Sequence, residues 1–159
     1  EENNMPTMNA KDSISGAQGV AYVTLDNQRY RLANLININA RMTKTKTSVP
    51  IIGKSGKGNK ATGWEGTGSM TMHFNTPIFR RLMQRYAQTG EDFYFPIQIT
   101  NEDPSAAVGR QTTILTNCNI DSIIVAQLDA DSDYLEEDFD FTFDGIEYPE
   151  EFAILPEML

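Results

Sequence analysis

Thiol and imidazole chemistry have almost nothing to work with in this sequence. Its 159 residues include one cysteine, Cys118, and one histidine, His73. One cysteine excludes an internal disulfide framework and any multi-thiolate metal centre. One histidine excludes the catalytic triads and His-rich zinc sites that need further imidazoles or several matched partners. No apolar run approaches the ~18 residues that would span a bilayer, and the acidic, Asn-rich start lacks a signal-peptide pattern. The net charge of −9 is the opposite of the basic surface that drives sequence-independent nucleic-acid binding. A chain of this length suits one domain and can bury a core without staples. The expectation is a soluble intracellular domain with no cofactor, no resident metal, no membrane contact and no stable nucleic-acid binding.

Basic residues are also nearly missing from the second half, where Arg110 is the only one after residue 90. Residues 1–90 carry a net +7 and residues 91–159 a net −16. The stretch from Arg41 to Lys60 holds six bases (Arg41, Lys44, Lys46, Lys54, Lys57, Lys60) and no acid. Asp129 to Glu151 holds eleven acids and no base. Opposite charge runs are commonly two solvated surfaces. They also suit a protein that binds copies of itself head to tail, and such heterologous contacts close into rings or propagate as filaments.

Periodicity gives a mainly β reading. The segment VAYVTL, the turn Asp26-Asn27 and RYRLANLI form a hairpin pattern, and residues 36–43 continue the sheet. The run KTKTSVPIIGKSGKGNKATG reads as a long, mobile basic loop over about 44–63, because its second half is rich in glycine and lysine. GSMTMHF alternates, with Met70, Met72 and Phe74 on one side, as a half-buried strand does. One helix is predicted over about 77–89: Thr76 as cap, Pro77 at the first helical position, Gly90 just past the end. Its apolar arc is Ile78, Phe79, Leu82, Met83 and Tyr86, and Arg80, Arg81 and Arg85 fall on the outward side. DFYFPIQIT, QTTILTNCNI and DSIIVAQLD read as further strands. DFDFTFD places Phe139, Phe141 and Phe143 on one face and Asp138, Asp140 and Asp144 on the other. The architecture expected is a β-barrel or two packed antiparallel sheets with one flanking helix. Residues 1–13 are read as a flexible N-terminal segment and 14–159 as a single domain.

Catalytic and ligand motifs fail on inspection. Gly53-Lys54-Ser55 lacks the upstream glycine of a phosphate-binding loop, Ser48 standing there instead, and no strand–loop–helix context surrounds it. The glycine run has Ala61 where a dinucleotide fingerprint needs its third glycine. Asp129, Asp131 and Asp133 imitate a calcium loop, yet Tyr134 replaces the obligatory glycine and Asp140 the final glutamate. His73 and Cys118 are scattered residues with no motif to join them. Trp64, beside glycines, is readable either as a contact residue or as a core anchor.

Several segments together resemble a family, the XkdM-type tail tube proteins of contractile, phage-like particles. They are ATGWEGTGSMTMHF, FRRLMQRY, TGEDFYFPIQIT, GRQTTILTNCNIDS and LDADSDYLEEDFDFTFDGIEYPEEF, spread over roughly residues 14–152. Departures are Cys118, where an apolar residue is expected, and a longer, more polar N-terminus. The resemblance implies a tail-tube-like β fold, no enzyme activity and no catalytic residues. It implies homohexameric rings stacked into a hollow tube, with a tape-measure protein, a contractile sheath, and baseplate and terminator proteins as partners. Such a tube is assembled in the bacterial cytoplasm and then carried in a virion tail or a released bacteriocin-type particle.

Within that reading, Arg41, Lys44, Lys46, Lys54, Lys57 and Lys60 are expected at an inter-ring contact, facing Asp129, Asp131, Asp133, Glu136 and Glu137 of the next ring. Asp138, Asp140 and Asp144 are the lumen-facing candidates, because an acidic channel repels passing DNA. The competing function is a monomeric ligand-binding β-domain that uses the Gly/Lys-rich loop.

Overall fold

The computed structural model describes residues 6–159. The chain divides into two compact units, one made of the residues up to Ala33, Pro96–Thr116 and Ile146–Leu159, the other of Asn34–Phe95 and Asn117–Gly145. Both are built from antiparallel strands, and the fold is mainly β with one α-helix. Among the described residues, no helix is long and apolar enough to cross a membrane.

In the first unit β1 (Gly19–Leu25) and β2 (Gln28–Arg31) form a hairpin around Asp26-Asn27. Both turn residues have positive φ, 50° and 64°, as a two-residue turn matched to the strand twist requires. Strand β1 also pairs with β5 (Phe95–Glu102), Val23 opposite Ile97, and both side chains are fully buried. Next in order is β6 (Arg110–Ile120). The tail strand β8 (Gly145–Glu150) lies on β6 and contains Pro149, a residue that sheets tolerate at edges. Arg110 forks onto the Glu150 carboxylate, its Nε donating at 2.7 Å, and the Thr112 hydroxyl donates to the same carboxylate at 2.9 Å. That paired guanidinium and hydroxyl hold the Glu150 carboxyl below its ordinary range. The loop after β5 is tied by two buried carboxylates. Asp103 accepts from the Ser15 and Ser105 N–H groups, each at 3.0 Å, and from the Ser105 hydroxyl at 2.6 Å. Asp12, in a short 3-10 turn over Ala10–Asp12, accepts from the Ala107 N–H at 2.9 Å. Of the segment read as flexible, residues 1–5 lie outside the described residues.

The second unit orders the end of β6, then β7 (Glu136–Phe143), β4 (Gly58–His73) and β3 (Leu35–Val49). The alternation of β7 is complete: Phe139, Phe141 and Phe143 are buried, and Asp138, Asp140, Thr142 and Asp144 are exposed. Opposite Phe141 and Phe143 stand Gly68 and Gly66. A Cβ on Gly68 would fall 2.4 Å from the Phe141 ring, so the phenylalanines occupy the space that β4 leaves empty. Met70 and Met72 fill the rest of that face. The helix α1 (Ile78–Thr89) lays Phe79 on it, with ring centroids 5.0 Å from Phe139 and 6.1 Å from Phe95. Gly90 ends the helix in the left-handed region, its N–H donating to the Tyr86 carbonyl.

Four expectations need correction. The basic stretch 44–63 is not one long loop: β3 runs to Val49 and β4 begins at Gly58, with Thr47 opposite Lys60 and Val49 opposite Gly58. The TKTKTSV pattern supplies the reason, since β-branched residues at alternate positions favour extended chain even where both faces are wet. Only residues 50–57 form the turn, where Lys54 N–H donates to the Ile51 carbonyl and Gly53 takes φ +86°. Residues 121–135 form no strand. The Asp121 N–H donates to the Asp140 carbonyl and the Gln127 amide to the Glu136 carbonyl, tying the segment to β7 without a ladder. The helix begins at Ile78 with Pro77 as its cap and no side-chain capping bond, so Thr76 does not cap it. Finally, Arg80 does not point outward, and its position belongs to the site described next.

Candidate functional site

The charged residues singled out in the sequence all fall in the second unit, and the structure sorts them into three sets. The basic set lies on the β3–β4 hairpin. Arg41, Lys44, Lys46, Lys54, Lys57 and Lys60 are all exposed, as is every residue from Ala40 to Lys57. Beyond Trp64 the hairpin is therefore a two-stranded ribbon with water on both sides. Trp64 marks the transition: it is 38 % exposed, opposite Lys44, with its ring 6.3 Å from Phe143. It anchors the ribbon to the core face and presents an edge to solvent.

The acidic set lies on the irregular segment between β6 and β7. Asp129, Asp131 and Asp133 are exposed there, and Glu136 is exposed at the start of β7. Asp129 Oδ1 accepts from the Asp131 N–H, an Asx-type turn that fixes two of these acids relative to each other. Glu136 acts on Tyr134, whose hydroxyl is pushed above its ordinary range by the hydrogen bond to that carboxylate. Glu137 does not belong with them. Its side chain is fully buried, forms an ion pair with Arg80, and leaves Oε1 without a hydrogen-bond partner. The same Arg80 guanidinium donates to the Thr76 carbonyl and lies 4.3 Å above the Phe74 ring. Sequence reading missed this pair. The signal was available: Glu137 is in phase with the buried phenylalanines of β7, so burial was forced and a cation was needed.

The third set is the polar face of the β3–β4–β7 sheet. Asp138, Asp140 and Asp144 stand on it with Ser69 and Thr71, which register opposite Asp140 and Asp138. Asp144 accepts from the Asn117 side-chain amide at 3.0 Å, and Asn117 itself takes φ +53° within β6. A shallow surface cleft on this face is lined by Asn39, Arg41, Thr67, Ser69, Asp121 and Asp140. Arg41 thus shares a surface with Asp140, one of the lumen candidates, as well as the sequence of the basic stretch.

Other chemistry is thinly provided. Cys118 is fully buried, and His73 is exposed with its ring 5.4 Å from Tyr134. Among the described residues, no group of three or more His, Cys, Asp or Glu is placed to hold a metal ion. What sequence reading also missed is exposed apolar surface inside both charged sets. Ile51 and Ile52 sit at the hairpin turn, Ile52 fully in water, and Val125 and Leu128 sit on the acidic segment, Leu128 99 % exposed.

The described residues thus form a mainly antiparallel β fold that carries a charged ribbon exposed on both faces. Residues 6–150 match the family described as phage tail tube protein, and the chain belongs to that family. It is 36 % identical over 146 residues to the phage-like element PBSX protein XkdM of Bacillus subtilis (strain 168), covering 92 % of this chain and 97 % of that one. It is 35 % identical over 144 residues to YqbM of the same organism, covering 91 % and 95 %. Its fold is similar to a chain in the sheath-tube complex of the extracellular contractile injection system PVC in its extended state. There the TM-score is 0.65, the identity 12 %, and the cover 86 % of this chain and 90 % of that one.

Proposed function

We propose that this chain is the inner-tube subunit of a contractile phage tail or phage tail-like particle, forming six-subunit rings stacked about a hollow channel. Membership in the tail tube family and the fold shared with a contractile injection system support the tube role. The observation that carries the assembly is the β3–β4 ribbon. Strand β3 ends the strand order, and a fifteen-residue edge is a template for pairing with another chain. Its tip is basic, and the same unit carries an exposed acidic segment, which suits a repeating, heterologous contact.

In this reading residues 14–159 act as one subunit and the N-terminal residues as a terminal extension. Lys44, Lys46, Lys54, Lys57 and Lys60 contact Asp129, Asp131, Asp133 and Glu136 of the next ring, and Glu137 stays inside its own subunit. The face bearing Asp138, Asp140 and Asp144 lines the lumen, where negative charge keeps a DNA backbone from adhering. The sheath, tape-measure, baseplate and terminator proteins are the partners, and the subunit itself catalyses nothing. It is assembled in the bacterial cytoplasm and leaves in the particle. Negative-stain microscopy of the purified protein and of particles from induced cultures tests the reading. Rings with six-fold symmetry or tubes containing this chain are expected, and a native particle holding the chain in neither form overturns it.

A further inference from the structure

Two exposed surfaces of the second unit combine the same unusual pair of features. The hairpin turn carries Ile51 and Ile52 between flanking lysines, with Lys54, Lys57 and Lys60 following, all exposed. The segment after β6 carries Val125 and Leu128, then Asp129, Asp131 and Asp133, all exposed. Ile52 is 103 % and Leu128 99 % exposed, so neither is covered by the described residues of its own chain. Isolated apolar side chains on a surface need no explanation. Here, however, an apolar pair stands beside a charged trio on each surface, and the charges are opposite in sign. Each surface therefore offers what the other lacks, and neither is complementary to itself.

We propose that the occupant of the hairpin tip is a second copy of this chain, with Ile51 and Ile52 seated on Val125 and Leu128 and the lysines framed by Asp129, Asp131 and Asp133. The apolar centre supplies the adhesion and the charged rim sets register and encounter rate, since rim pairs contribute little affinity individually. The tip suits insertion. The turn at Gly53 holds Ile52 at the extreme of a ribbon whose strands are paired as far as Val49 and Gly58. Because donor and acceptor surfaces differ, each subunit uses both and the contact repeats without closing on a two-fold axis. This inference rests on the self-assembly reading but is narrower than it.

The test is site-directed cross-linking in the full-length chain. Ile52→Cys and Leu128→Cys are introduced singly and together, and treated with a short bis-maleimide at concentrations where microscopy shows assembly. The native protein, which retains buried Cys118, is the control. The double variant should give a ladder of multimers under denaturing conditions, and a mixture of the two single variants should give dimers. A second measurement uses charge. Ile52→Asp should raise the concentration needed for assembly at least tenfold, and adding Leu128→Lys should restore most of the loss, with circular dichroism unchanged in both. Assembled protein that yields no ladder, or a pair of charges that fails to rescue, overturns the contact. A ladder without rings or tubes would establish the contact and defeat the tube reading, so the two failures are distinguishable.

Discussion

The inner and outer halves of the β3–β4 hairpin share two antiparallel strands, with a one-residue register shift between Thr45 and Lys46, yet they are held in different ways. In the inner half, Met70 and Met72 are fully buried, and Gly66 and Gly68 lie under Phe143 and Phe141. In the outer half, Arg41–Val49 is exposed throughout, and the β4–β7 pairing stops at Gly66, short of the ribbon. The ladder of backbone hydrogen bonds continues through both. A ladder alone stabilises little in water, because each bond replaces one to solvent at a net gain of only about 0.5–1.5 kcal/mol. Side-chain burial is what separates the halves, and a two-stranded ribbon without it is marginal. One stretch of chain thus supplies a fixed scaffold and an adaptable arm.

The largest break in this contrast should come from Arg80. Removing it with Arg80→Met strands the buried Glu137 carboxylate beside β4, in the inner half's core. Loss of one partner from a buried ion pair costs about 3–5 kcal/mol. Chemical denaturation should show a loss of that order, and Arg80→Met/Glu137→Leu should recover most of it. Equal stability of Arg80→Met and the native chain would mean that Glu137 reaches water.

Next come the glycines. Gly68→Ala places a methyl group 2.4 Å from the Phe141 ring and 2.7 Å from the Asn39 carbonyl, and overpacking of this kind costs about 1–3 kcal/mol. Gly63→Ala, with nothing within 4 Å of its Cβ, should stay within about 0.5 kcal/mol of native. The two alanines thus set the same change on either side of the boundary at Trp64. Similar losses at both positions would erase the distinction between the halves.

Much of this was legible in advance, and the limits are instructive. The alternation of β7, the Asp26-Asn27 turn and the Gly90 helix end are local signals, and each appears as read. The basic arm was misread because glycine and lysine counts outweighed the Thr43, Thr45 and Thr47 alternation. Strand pairing there depends on a partner 9 to 22 residues away, as in Val49 with Gly58 and Thr43 with Glu65, which composition does not encode. DSIIVAQLD failed in the opposite direction, since its apolar run matches a strand but finds no ladder to join. For the candidate site, the charged sets were visible as runs. Which acid was buried depended on phase along β7, and the exposed Ile52 and Leu128 carried no sequence signal at all.

Hydrogen exchange sharpens the same contrast with a smaller effect. In the free subunit, the amides of Met70 and Met72 should exchange through the most costly openings. Those of Asn59 and Lys60 should exchange far faster through opening of the ribbon, and those from Lys54 to Lys57 fastest. On assembly the ribbon should gain protection, because its contacts are then made. Uniformly slow exchange from residue 54 to residue 72 in the free subunit would show that the arm is as fixed as the scaffold.

The smallest effect comes from comparing two connecting turns, the hairpin tip and the loop after β5. The tip is closed by one backbone bond, Lys54 N–H to the Ile51 carbonyl, and should respond little to acid. The loop is closed through Asp103, whose carboxyl is held below its ordinary range chiefly by the Ser105 hydroxyl, then by the Ser15 and Ser105 N–H groups. A carboxyl depressed in the folded state stabilises it above the unfolded value and loses that contribution as pH falls through the folded one. The ordinary aspartate value is about 3.9, so the loss should begin as pH drops through about 4 and be complete only below the depressed folded value. Asp103→Asn keeps an acceptor for one N–H but removes the titration. In denaturation curves taken between about pH 6 and pH 2.5, the variant should be less stable than the native chain at the upper end. The gap should narrow towards the lower end, as the Asp103 carboxyl takes up its proton and the two side chains become alike in charge. A gap that stays constant across that range would mean that Asp103 acts through shape alone, and that its charge adds nothing to closing the loop.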